Sequence, residues 1–167
     1  FAATHQGNVY LRMGRHKIPV LTSGSGKPFF NEKYVYIYGK TDILRIGELI
    51  TIVAIGGVVI EVLRAWEVLK SEGVTVEIVI ASSIKAFDET IFESIKKTGK
   101  VITVEDHNPY SGLGGMLARE CVSRGIKFEK YEMLGVREYQ LSGTAEELYH
   151  VAGIDTDAIV TKVKAML

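Results

Sequence analysis

The chain carries a single cysteine, Cys121, so no disulfide can form within it; a buried, inert thiol in a reducing cytoplasm is the expectation. Neither C-x-x-C nor H-x-x-x-H spacing occurs, and His5, His16 and His150 stand apart from one another, which leaves no sequence-level metal site. Charge of one sign is not in excess. Lys plus Arg and Asp plus Glu both number 20, a balance that gives no electrostatic case for nucleic acid or an anionic membrane as partner. Long apolar runs are missing too, since the longest, Ile50 to Ile60, is broken by glycines and falls well short of a membrane span. The opening FAATHQG lacks the charged and then apolar regions of a signal peptide, and it begins with Phe1, so the chain reads as a piece of something larger. No internal repeat or low-complexity tract interrupts the 167 residues, enough for one sizeable core. What is plentiful is apolar surface: 47% of residues, with mean hydropathy +0.14, point to a face covered by another domain or subunit.

The most informative stretch runs from Val101 to Arg124, VITVEDHNPYSGLGGMLARECVSR. Val101 to Val104 is β-branched without polar alternation, as in a strand buried on both faces of a mostly parallel sheet. Glu105, Asp106, His107 and Asn108 then fall at its carboxyl end, where ligands gather in open α/β sheets. Gly112, Gly114 and Gly115 allow close backbone approach ahead of a helix whose Leu113, Met116, Leu117, Cys121 and Val122 form one apolar stripe. The glycines do not follow the G-x-G-x-x-G spacing of a dinucleotide site, and the unit comes late in the chain, so a tight strand-to-helix turn or subunit contact is the better reading.

Taken in order, Asn8 to Met13 alternates as one strand does, and Gly14 to Glu32 is a long loop holding Pro19 and Pro28. A lone strand ahead of a linker cannot build a sheet, so residues 1–15 are expected to be the tail of a preceding domain, 16–33 a linker and 34–167 the main domain. Strands are expected over Val35–Tyr38, Leu49–Ile55, Val74–Ala81, Val101–Val104 and Ile126–Met133, with Gly39 to Gly47 a connection. Helices are expected from Val58 to Lys70 with Trp66 as a core anchor, after Asp88 as N-cap, after Thr144-Ala-Glu-Glu147 as a capping box, and after Asp155. Leu148 and Val151 are expected to face inward, as are Met13, Met116, Met133 and Met166. Alternating strands and helices give a three-layer α/β/α fold with right-handed crossovers.

Several segments together resemble the C-terminal portion of transketolase: VITVEDH with SGLGG and a helix, Ser83-Ile84-Lys85-Ala86-Phe87-Asp88 after a strand, and the ending SGTAEELYHVAGIDTDAIVTKVKAML. NVYLRMGR followed by IPV is similar to the last strand of that enzyme's pyrimidine-binding domain and its exit into the linker. The resemblance implies a five-stranded, mostly parallel sheet with one antiparallel strand, for which Val35–Tyr38 is the candidate. It implies a thiamine-diphosphate enzyme of the pentose phosphate pathway that moves a two-carbon ketol unit between sugar phosphates at a homodimer interface. In that setting thiamine diphosphate and Mg are bound outside this chain, because no GDG stretch followed by Asn is present and the activating glutamate lies upstream of Phe1. The chain alone is then a structural, dimer-forming section that does not catalyse. One position carries over: the arginine before the linker proline that reaches the substrate phosphate is Arg15 in GRHKIP, the alternative being a strand-end cap. Departures from the pattern at Ser82, Ala86 and Pro109-Tyr110-Ser111 leave sugar preference open.

His107 has the position of a general acid or base, though in the resembled family its loop is a packing feature. Glu105 and Asp106 are adjacent on an extended chain and so point apart. Two classes of function stand: a section of a transketolase, or of its relatives 1-deoxyxylulose-5-phosphate synthase and the 2-oxo acid dehydrogenase beta subunits, working with missing N-terminal domains or a partner subunit; or a stand-alone module in which Glu105, His107, Gly112 and Gly114 frame an anion at a helix N-terminus.

Overall fold

The computed structural model describes residues 1–167. After an irregular segment, the chain forms β1 (Thr41–Arg45), β2 (Ile50–Ile55), α1 (Val59–Ser71), β3 (Val76–Ala81), α2 (Glu89–Thr98), β4 (Lys100–Glu105), α3 (Leu113–Ser123), β5 (Lys130–Leu134), α4 (Ala145–Ala152) and α5 (Thr156–Met166). The five strands make one sheet in the order β1-β3-β2-β4-β5, parallel except for β1. Two-residue periodicity sends alternate side chains of the central strands into separate cores. Ile50, Ile52, Ala54, Ile78, Ile80, Ile102 and Val104 meet Val62, Leu69, Ile159 and Val163 of α1 and α5 on one face. Val53, Val79 and Val101 meet Ile91, Phe92, Ile95, Leu117 and Cys121 of α2 and α3 on the other. Each fully buried Ile or Leu contributes about 1.5–3 kcal/mol relative to exposure, so both helical layers are held by the hydrophobic effect.

The antiparallel strand exists, but at Thr41–Arg45 and not at Val35–Tyr38. Val35 and Ile37 are 70% and 59% exposed. The run VYIY has strand propensity without a sheet to join, because the chain turns after it: Lys40 donates to the Ile37 carbonyl and Gly39 adopts φ +82°. Thr41 is fixed instead by Asp88, whose carboxylate accepts from the Thr41 amide at 3.2 Å and hydroxyl at 2.5 Å. Asp88 thus stands at the N-cap position of α2 while its side chain anchors β1. A register shift between Ile43 and Arg45 closes the pairing.

Asn8–Met13 forms no strand, and Met13 is 78% exposed, so it joins neither core of this chain. An isolated strand finds no pairing partner on this chain. The loop that follows carries a bridge between Thr22 and Pro28, and it is tied to the sheet by Arg45, which donates to the Thr22 carbonyl at 2.8 Å and stacks 4.9 Å from the Trp66 ring. Trp66 is therefore a half-buried platform at the edge of the core. In α4 the inward residue is Tyr149, with Leu148 half-buried and Val151 facing solvent. The capping box between Thr144 and Glu147 sets the phase of this two-turn helix, and a one-residue error in that phase turns its faces by about 100°. Met116 and Met133 are half-buried and Met166 is buried. No helix is long and apolar enough to cross a membrane.

Cys121 lies fully buried between α3 and the sheet, and burial pushes its thiol up to about 11. A water-soluble disulfide reagent should leave it unmodified until the domain is unfolded; reaction at the rate of a free thiol under native conditions would contradict this packing.

Candidate functional site

Two features meet at the carboxyl end of the parallel strands. The first is the glycine loop between β4 and α3. Glu105, 1% exposed, turns its carboxylate under the start of α3, where Oε2 accepts from the Leu113 amide at 2.7 Å and Oε1 from the Gly114 amide at 2.8 Å. These are two of the donors that a helix N-terminus leaves without partners. The glycines make this fit possible. A Cβ on Gly112 would lie 1.8 Å from Glu105 Oε2, one on Gly114 2.8 Å from Met133 Sδ and Thr103 Oγ1, and one on Gly115 2.0 Å from the Tyr110 carbonyl oxygen. Tyr131 completes the turn by donating to the Gly114 carbonyl at 2.8 Å. Burial holds the Glu105 carboxyl above its ordinary range, against the lowering effect of the two amide bonds.

This geometry overturns the anion-site reading of Glu105, His107, Gly112 and Gly114: the helix N-terminus is already filled by the chain's own carboxylate, which repels a second anion. His107 is exposed, and its one side-chain hydrogen bond is from Nδ1 to the neighbouring Asn108 carbonyl at 3.2 Å. No acid or base partner orients it. Glu105 and Asp106 point apart, and Asp106 offers its main-chain carbonyl to Arg12 Nη1 at 2.9 Å.

That bond belongs to the second feature, a strap formed by residues 12–19 across the ends of β2 and β4. His16 sits over Gly57, two residues past β2, with its Nε2 at 3.5 Å from the Tyr149 hydroxyl and the two rings edge to face at 5.9 Å. A Cβ on Gly57 would fall 2.8 Å from His16 Nε2. Burial first, then the Asp106 carboxylate, push the Tyr149 phenol up to about 12, so it remains a protonated donor. Between the two anchors Arg15 is exposed and makes no hydrogen bond or ion pair within the chain. Beside it opens a cleft of about 260 Å³ lined by His16, Lys17, Gly57, Arg64, Glu146 and Tyr149.

Sequence reasoning singled out Arg15 as a candidate but not Arg12, His16, Gly57 and Tyr149, which the structure sets around it. The available signal was Gly57 doubled with Gly56 straight after an apolar strand, where a turn alone needs one glycine. Metal ligation has no support, since no group of three or more His, Cys, Asp or Glu is gathered to hold an ion. His5 stacks on Phe1, and His150 pairs with Asp155 at 2.6 Å.

A family model described as "Transketolase, C-terminal domain" matches residues 39–159, β1 to the first half of α5. The chain belongs to the transketolase C-terminal domain family. It is 36% identical over 162 residues to a putative transketolase C-terminal section of Methanocaldococcus jannaschii, covering 96% of this chain and 48% of that protein. It is 32% identical over 162 residues to one of the subunits of the apulose-4-phosphate transketolase of Actinobacillus succinogenes, covering 96% of this chain and 50% of the relative. Among solved structures, a split gene transketolase described as an inactive beta4 tetramer superposes with a TM-score of 0.84 at 28% identity, covering 99% of this chain and 52% of the other. The chain thus spans about half the length of the curated transketolase relatives it matches.

Proposed function

We propose that this transketolase C-terminal domain is the rear section of a thiamine-diphosphate-dependent transketolase that moves a two-carbon ketol unit between sugar phosphates in the cytoplasm. The observation that carries the reading is the family match over 39–159, joined to alignment across nearly the whole chain with a transketolase C-terminal section. In this reading residues 1–15 end a pyrimidine-binding domain, 16–33 link it to the sheet, and the remaining N-terminal part, on the same polypeptide or a partner subunit, completes a homodimeric enzyme. Exposed Val9, Tyr10, Leu11 and Met13 on the first segment fit an element whose packing partners lie outside this chain.

The residues here do not fit the cofactor itself. Mg and a diphosphate need gathered carboxylates and an open nest of amides, whereas the one glycine-rich helix N-terminus is occupied by Glu105 and no metal-binding cluster is assembled. The contribution of this section is instead Arg15, whose guanidinium offers a planar fork to phosphate oxygens from the carboxyl end of the sheet.

In the complete enzyme, Arg15→Ala should raise the KM for xylulose 5-phosphate and ribose 5-phosphate by roughly 10- to 100-fold with a smaller change in kcat, since hydrogen bonds to a charged group are worth about 1.5–3 kcal/mol. A coupled ketol-transfer assay reads this. Absence of ketol transfer with turnover of pyruvate would overturn the reading in favour of 1-deoxyxylulose-5-phosphate synthase or a 2-oxo acid dehydrogenase.

A further inference from the structure

The strap is held where it has least reason to be held for folding. The chain is exposed from Val9 through the strap's first residues to Arg15, and the sheet beneath is complete without them. Yet it touches down twice, through Arg12 on the Asp106 carbonyl and through His16 on Gly57 and Tyr149. Both landing points belong to the rigid body of the domain. Gly57 follows β2, whose residues Ile50 to Ala54 are fully buried. Tyr149 is 7% exposed on a helix locked at its start by the Thr144–Glu147 capping box and at its end by Gly153 at φ +66°. The seat for the imidazole exists because residue 57 has no side chain: a Cβ there would stand 2.8 Å from Nε2 and 2.9 Å from Cε1 of His16.

Arg15 lies between the touchdowns, next to the second. Three residues separate Arg12 from His16, four steps along the chain that span at most about 14 Å when fully extended, so fixing both ends confines the backbone that carries the guanidinium. We propose that His16, seated between Gly57 and Tyr149, is a positioning residue that sets the place of the Arg15 guanidinium for the substrate phosphate. The inference rests on the reading of Arg15 as the phosphate ligand and adds to it the device that aims it. Displacing a ligand-orienting group by about 1 Å is enough to cost on the order of 100-fold where its geometry matters.

The test uses the complete enzyme and compares Gly57→Ala, His16→Ala, Tyr149→Phe and Arg15→Ala. Gly57→Ala is the sharpest probe, because the nearest atoms to its added methyl are side-chain atoms, the tip of the His16 ring at 2.8 and 2.9 Å and the Tyr149 hydroxyl at 3.3 Å. It should displace the strap and leave the core intact. The KM for xylulose 5-phosphate should rise about 10-fold in Gly57→Ala and in His16→Ala, while a ketol donor without phosphate, hydroxypyruvate, keeps its KM within about twofold. Tyr149→Phe retains the edge-to-face ring and should stay close to wild type. In an Arg15→Ala background, Gly57→Ala should add nothing further, a result that general destabilisation would not give. Hydrogen exchange of the peptide spanning residues 12–18 should quicken in Gly57→Ala, with peptides of β2 and β4 unchanged. If Arg15→Ala raises the KM and Gly57→Ala does not, or if exchange in residues 12–18 is unaltered, the positioning role is overturned and the Arg15 reading survives. If Arg15→Ala also leaves the KM unchanged, the Arg15 reading falls and takes the positioning role with it.

Discussion

Replacing Glu105 with alanine should lower the stability of the domain by about 3 kcal/mol in urea unfolding, a large share of the roughly 5–15 kcal/mol typical of such folds. The side chain supplies the only partners of the Leu113 and Gly114 amides, two buried donors at the start of α3. Its removal orphans both at once, and each orphaned donor costs about 1–3 kcal/mol. The upper end of that sum is not reached, because holding a carboxylate at 1% exposure is itself unfavourable, as the raised pKa of Glu105 records. Glu105→Gln tests the same contact without a cavity: one amide keeps an oxygen acceptor while the other faces an NH₂, so an intermediate loss is expected. The pH dependence has a definite sign. An acid whose folded pKa lies above its ordinary 4.5 binds protons more readily in the folded state, so its stabilising contribution is full below 4.5 and declines as pH rises through the raised value. Wild type should therefore lose stability relative to Glu105→Gln on going upward through that window. A loss below 1 kcal/mol in Glu105→Ala would mean that the carboxylate does not cap α3.

The central strands could be read from sequence because parallel strands buried on both faces leave unbroken apolar runs, and β2, β3 and β4 each fall within two residues of their expected bounds. Two of the three expected caps were equally legible, while the Asp88 side chain makes no cap bond. Thr144 with Glu147, and Asp155 with the Ala158 amide, are contacts between residues three apart, so spacing reveals them. What stayed hidden depends on partners far along the chain. β1 is specified by Thr41 bonding Asp88, a contact across 47 residues, while VYIY has the better strand composition and no sheet edge to join. Leu148 and Val151 carry the more apolar letters in α4, but the phase set by its cap turns Tyr149 inward. At the site, the glycine cluster is legible as a place of close approach, though the spacing does not say whose approach. Nothing in it shows that Glu105 folds back over eight residues to fill the turn. Arg15 was singled out only through resemblance, and His16, weighed as a metal ligand, could not be seen to sit on a glycine 41 residues away, where 57 less 16 is 41.

Gly115→Ala should be among the most damaging single methyls in the chain, with a loss exceeding about 4 kcal/mol or failure to fold cooperatively. The new Cβ would stand 2.0 Å from the Tyr110 carbonyl oxygen and 2.7 Å from its carbon, and both are backbone. Neither side can yield cheaply. On one side the Gly115 amide donates to the Pro109 carbonyl at 2.8 Å, and the Gly112 amide donates to the Asn108 carbonyl at 2.9 Å, which holds the loop in place. On the other side the first turn of α3 is bound by Glu105 and Tyr131, and Leu113 and Leu117 are buried against the sheet. Moving the helix by the ångström or more needed to clear the clash would break those bonds together and open the core beneath. Gly125→Ala supplies the contrast. That glycine has φ +65° and nothing within 4 Å of the added carbon, so only the left-handed backbone is penalised, by roughly 1–2 kcal/mol. Thermal or urea unfolding of the two variants side by side separates a steric cost from a conformational one. If Gly115→Ala were no worse than Gly125→Ala, the loop would have room that this packing denies, and α3 would not be seated on β4 as described.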